Sequence, residues 1–79
     1  LIMITLDKIR VNDKVIIEQV GGTQSLKRRL LDLGFIPGEE VACVLISPFQ
    51  DPKAYLIHSN IIALRNKDAR NIEVYYEGN

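Results

Sequence analysis

The chain has 79 residues, 47% hydrophobic and 25% charged, which fits one small domain over 1–79 and excludes a disordered tail, a collagen-like fibre or a charged linker. Ten Lys and Arg balance ten Asp and Glu, so the basic excess that marks non-specific nucleic-acid binding is missing. No apolar run reaches the ~20 residues that span a bilayer, and the first six residues meet Asp7 with no basic flank, unlike a signal peptide. The expectation is a soluble, cytoplasmic domain whose natural start is Met3.

In chain order, Thr5–Ile9 predicts one helical turn capped by Thr5, with Leu6 and Ile9 packing inward. Lys14–Val20 is rich in β-branched residues, ends at Gly21-Gly22 and predicts a strand. The period then changes. Leu26, Leu30 and Leu33 fall at i, i+4 and i+7 on one helix face, widened by Leu31, with Gln24, Ser25, Arg28, Arg29 and Asp32 opposite. Thr23 or Ser25 caps this helix, and Gly34 suits the left-handed position that ends it. Phe35-Ile36-Pro37-Gly38 predicts a type II turn, Pro37 presetting φ at i+1 and Gly38 supplying the positive φ of i+2. Glu40–Ile46 is apolar almost throughout, which predicts a strand buried on both faces, one of them under the helix.

Ser47–Pro52 reads as a loop, because two prolines four apart cannot sit in a central strand. Ala54–His58 and Ile61–Leu64 predict two strands joined at Ser59-Asn60, where Asn tolerates positive φ. Asn66–Arg70 predicts a helical turn capped by Asn66. Ile72–Tyr76 predicts the last strand, with Ile72, Val74 and Tyr76 on one face and Tyr75 on the other; Glu77–Asn79 is expected to fray. Five short strands, one inserted helix and one or two helical turns, without a βαβ rhythm, indicate a mainly β fold: a small, partly closed SH3-like barrel.

The run Leu26-Lys27-Arg28-Arg29-Leu30-Leu31-Asp32-Leu33-Gly34-Phe35-Ile36-Pro37-Gly38, followed by Val41, resembles the ferrous iron transport protein A (FeoA) family: a basic-flanked leucine helix, Leu-Gly, an aliphatic residue, Pro-Gly and a valine strand. Ser47-Pro48-Phe49-Gln50-Asp51-Pro52 resembles the family's Ala-Pro-x-Gly-Asp-Pro loop. Ile62-Ala63-Leu64-Arg65, with Ala69 and Ile72, resembles its Ile-Ala-Leu-Arg segment and final strand. The likeness runs from Thr5 to Val74. It departs at Gln50 and Ser59, where the family often has Gly, and altered loop geometry is expected at both. The resemblance implies a non-enzymatic cytosolic SH3-like domain that binds and regulates a FeoB-type GTPase transporter through its cytoplasmic domain, meeting the membrane only through that transporter. The same domain type closes iron-dependent repressors, which leaves a metal-sensing or metal-delivery domain as one alternative. A nucleic-acid-binding SH3-like domain is the second.

The residues offer little chemistry of their own. His58 is the single histidine, placed in a strand with no carboxylate in its segment, which is thin support for acid–base work. Gly21-Gly22 lacks the Lys-Ser/Thr of a phosphate-binding loop. An Fe²⁺ site commonly takes two His and one carboxylate, which one His cannot supply, so no catalytic, cofactor or metal residues are assigned. Cys43, inside an apolar run, reads as a core thiol. Lys27, Arg28 and Arg29 read either as a solvated face with an Arg28–Asp32 i, i+4 pair or as a docking patch for an acidic surface. With no Trp and no interleaved aromatics, polyproline and nucleic-acid grooves are not expected. Asp51 is expected to organise its loop as an Asx turn, and Arg65 to pair with a carboxylate. The candidate partner surface is Lys27, Arg28 and Arg29 with Pro48, Asp51 and Pro52 beside them. Leu26, Leu30, Leu33, Gly34, Pro37, Gly38 and Arg65 serve the fold. An open strand edge leaves room for weak pairing with a second copy.

Overall fold

A computed structural model describes residues 2–78; the expectations for Leu1 and Asn79 lie outside them. The elements are β1 (Met3–Thr5), a 3-10 turn (Leu6–Lys8), β2 (Lys14–Val20), α1 (Gln24–Asp32), β3 (Glu40–Ile46), β4 (Lys53–Ile57), β5 (Asn60–Leu64), α2 (Asn66–Ala69) and β6 (Ile72–Tyr75). All neighbouring strands are antiparallel, in the order β1-β6-β2-β3-β4-β5. The mainly β architecture follows the expectation, with six strands in place of five. The additional strand is β1, three residues paired to β6 from Met3↔Tyr75 to Thr5↔Glu73, too short to show a period of two.

Two bulges bend the sheet. Glu18 is the extra residue where β2 meets β6, and Val44 where β3 meets β4; each raises the local twist and helps the sheet curl. The curl is closed by side chains. From β4, Lys53 Nζ donates to the Asp7 carbonyl and the Tyr55 hydroxyl reaches the Leu6 carbonyl, both in the 3-10 turn. Leu6 and Ile9 are buried as the spacing predicts. Thr5 precedes the turn but makes no capping bond, because its hydroxyl donates to the Asp7 carboxylate instead.

The core joins inward residues of every long strand to the helix, among them Ile17, Leu30, Phe35, Val41, Tyr55 and Ile72. On α1, Leu30 is fully buried and Leu26 and Leu31 pack against the core. Leu33, expected on the buried stripe, is 39% exposed. It is the C-cap residue, and the chain turns away there before the third leucine can reach the core. Gly34 follows with φ +109. Its N–H bonds Leu31 O and the Phe35 N–H bonds Leu30 O, the paired bonds of a Schellman motif, with Phe35 and Leu30 both buried.

The Glu39 N–H bonds Ile36 O, with Pro37 and Gly38 between them and Gly38 at φ +94, as a type II turn requires. The expected double burial of β3 is corrected: its exposure alternates, and Leu45 is 64% exposed. Helix α1 lies chiefly against β2. The β4–β5 turn is shifted by one residue from the expectation. Its centre is His58-Ser59, at φ 52 and 67, between the paired residues Ile57 and Asn60. That is the two-residue, doubly left-handed hairpin loop whose twist matches the strands.

Candidate functional site

Thr23 holds the start of α1, its hydroxyl accepting from Leu26 N at 3.1 Å. This cap sets the direction in which the basic triplet projects. Lys27 and Arg28 are exposed and, with Gln24, Leu31 and Asp32, border a shallow depression of about 230 Å³. The expected Arg28–Asp32 pair is absent among the described residues. Arg29 makes the ion pair instead, reaching Asp68 of α2 at 2.9 Å. The Asp68 carboxylate is largely buried in its own helical turn, and Arg29 reaches it from α1.

Helix α2 is tied on its other side to the proline loop. Asn66, expected as its cap, is the first helical residue, and Arg65 occupies the cap position without a capping side chain. The cap comes from elsewhere in the chain: Asp51 Oδ1 accepts from Asn66 N at 2.9 Å, and Asn66 Nδ2 donates to Gln50 O at 2.8 Å. Asp51 therefore organises two segments at once. The expected Asx turn is replaced by this bond and by Ser47 Oγ accepting from Asp51 N at 3.0 Å. Arg65 is exposed and makes no ion pair among the described residues; its carbonyl accepts from Asp68 N and Ala69 N.

These bonds tie α1 to α2 and α2 to the loop. Arg29 and Asp51 are engaged in cross-ties, Pro52 is half-buried, and Lys27, Arg28 and Pro48 remain exposed. Phe49, at the loop tip between Pro48 and Gln50, is 92% exposed. An exposed aromatic ring is the kind of side chain that contributes to binding when a partner desolvates it. The sequence places the Pro48–Pro52 loop in the candidate surface without singling out Phe49, although its place between Pro48 and Gln50, outside any apolar period, is a visible signal.

Gln50 and Ser59 stand at φ 65 and 67. The loops there adopt the left-handed conformation that glycine favours.

A second surface escaped the sequence reading. Residues directly opposite in an antiparallel pair share a face. The registers Ala42↔Leu56↔Ile61 and Leu45↔Ala54↔Ala63 thus form two apolar rows across β3, β4 and β5. Leu45, Leu56 and Ile61 are exposed in them. The continuous apolar runs Val41–Ile46 and Ile61–Leu64 were the signal, and they point to an exposed apolar face as readily as to double burial.

His58 lies in the hairpin turn, not in a strand. Its Nε2 stands 3.5 Å from Glu39 Oε2, with both side chains nearly half exposed. Among the described residues no three His, Cys, Asp or Glu side chains converge as metal ligands. Cys43 is fully buried, and burial pushes its thiol above its ordinary range, which disfavours the reactive thiolate. Tyr55 is likewise raised, chiefly by desolvation. No helix in the described residues is long and apolar enough to cross a membrane.

A strongly curled antiparallel sheet with one inserted helix, closed by its own first turn, is an SH3-like domain. The chain belongs to the FeoA domain family, whose model matches residues 4–76. It is 33% identical over 69 residues to the Fe(2+) transport protein A/Fe(2+) transporter FeoB fusion protein of Porphyromonas gingivalis, covering 87% of this chain and 8% of that one. Its fold is similar to iron(II) transport protein A of Clostridium thermocellum, with TM-score 0.90 and 31% identity over 95% of this chain and 46% of that one. It is also similar to FeoA of Stenotrophomonas maltophilia, with TM-score 0.81 and 29% identity over 91% and 89% of the two chains. That protein was crystallised with zinc and described as a prokaryotic SH3 domain protein that could act as a ferrous iron transport activating factor.

Proposed function

We propose that this chain is a non-enzymatic accessory domain of ferrous iron uptake, binding a FeoB-type transporter on its cytoplasmic side and regulating it. The observation that carries this reading is the P. gingivalis relative, in which the matching segment and a FeoB transporter share one polypeptide. Fusion holds two modules at high effective concentration, an arrangement suited to partners that work in contact.

Two exposed features of the chain support this reading. Lys27 and Arg28 are exposed and carry positive charge that no ion pair takes up among the described residues, and Pro48 and Phe49 provide an exposed apolar tip. Charge at the rim steers the encounter, while a desolvated aromatic supplies much of the affinity. Regulation requires that the domain bind one conformation or nucleotide state of the transporter more tightly than another, because only differential affinity shifts such an equilibrium.

The test is capture by the transporter's cytoplasmic domain loaded with GDP or with GTP. The wild-type chain is expected to be retained unequally by the two forms. Reversal of Lys27 and Arg28 to Glu is expected to slow association by about tenfold, most visibly at low salt. Absence of capture in every combination would refute the proposal.

A further inference from the structure

We propose that the chain self-associates through the open edge of β5, two copies pairing antiparallel about a twofold axis at Ile62. The sheet has two outer strands, β1 and β5. β1 is three residues long, and brevity is one way proteins blunt an edge. β5 has five residues, Asn-Ile-Ile-Ala-Leu, without charge, proline or bulge, in unbroken register with β4. None of the usual protective devices lies on the strand itself.

The register fixes which backbone groups are free. A two-residue hairpin loop makes Ile57 and Asn60 a hydrogen-bonded pair. Alternation then turns the N–H and C=O groups of Asn60, Ile62 and Leu64 toward β4 and those of Ile61 and Ala63 toward the open edge. No other backbone or side-chain partner occupies the groups of Ile61 or Ala63 among the described residues. Water can solvate these groups one at a time, and another extended strand can pair with the row along its length.

A second copy of β5 fits it. With the axis at Ile62, Ile61 of each copy faces Ala63 of the other as a hydrogen-bonded pair, and each free group finds a partner. On the outer face a large side chain, 68% exposed as Ile61 now stands, meets a small one. Arg65 falls opposite Ser59 of the partner subunit, so like charges do not meet. The apolar rows through Leu45, Leu56 and Ile61 become continuous across both copies. The arrangement closes on itself, whereas β5 joined to β1 of another copy would extend without end.

A five-residue ribbon is small beside the roughly 1,200–2,000 Å² of a standard stable interface, so the pairing is weak and concentration-dependent. Sedimentation velocity from about 10 µM to about 1 mM is expected to show the weight-average mass rising from one chain toward two. Ala63→Pro, which removes an outward N–H at a position an edge strand tolerates, and Ile61→Lys are each expected to abolish that rise while circular dichroism stays unchanged. A mass of one chain throughout the range overturns the proposal. So does an unaltered rise in folded Ile61→Lys, whatever the folding of the proline variant.

Discussion

Ser59 holds a left-handed backbone without the help of a glycine or an asparagine. Its Cβ is crowded against the backbone at φ 67, and the preceding His58 is at φ 52. Replacement by Gly removes that crowding. Ser59→Gly is expected to stabilise the fold by about 0.5–1 kcal/mol, after allowance for the freer unfolded chain, read as a higher urea midpoint at unchanged slope. A lower midpoint would show that the serine side chain contributes something the crowding argument omits. The turn was legible in type but not in register. Asn60 is the better left-handed residue by propensity, and only the pairing of Ile57 with Asn60 shows that the strand begins there. At Gly38 the local signal sufficed: Pro-Gly demands positive φ at its second residue, and the structure has it.

The helix and most strands could be read from their own periods. β2 and β3 have the bounds their β-branched and apolar runs imply, and α1 starts from the Thr23 cap and stops at Gly34. What connects the elements was not readable, since it depends on contacts between residues far apart in the chain. Asp51 meets Asn66 across fifteen positions and Arg29 meets Asp68 across thirty-nine. The first of these bonds also explains why the expected Asx turn gave way, since the Asp51 carboxylate is engaged by Asn66. The Asp51 carboxylate serves as the cap that α2 lacks, so Asp51→Ala is expected to destabilise the domain by about 0.5–2 kcal/mol. Protection of the Asn66 amide against hydrogen exchange should fall with it. Unchanged stability and protection would show that Asp51 is free to serve a partner.

At the scale of the molecule, the basic end of α1 and the Phe49 tip lie on a scaffold cross-tied through α2, while a separate apolar face spans β3, β4 and β5. The sheet's outer face was hidden from the sequence because apolar alternation is lost when both sides of a strand are apolar, and burial cannot then be assigned. The two surfaces make different demands. Exposed positive charge and an exposed aromatic suit a transient partner, whereas an open, uncharged edge suits another strand. In the proposed function the first surface is the one that meets the transporter. The most direct measurement is amide chemical-shift mapping of the isotope-labelled chain titrated with the cytoplasmic domain of a FeoB-type transporter. Shifts are expected to centre on Lys27, Arg28, Phe49 and Gln50; a saturating titration that leaves those four amides unmoved would contradict the account.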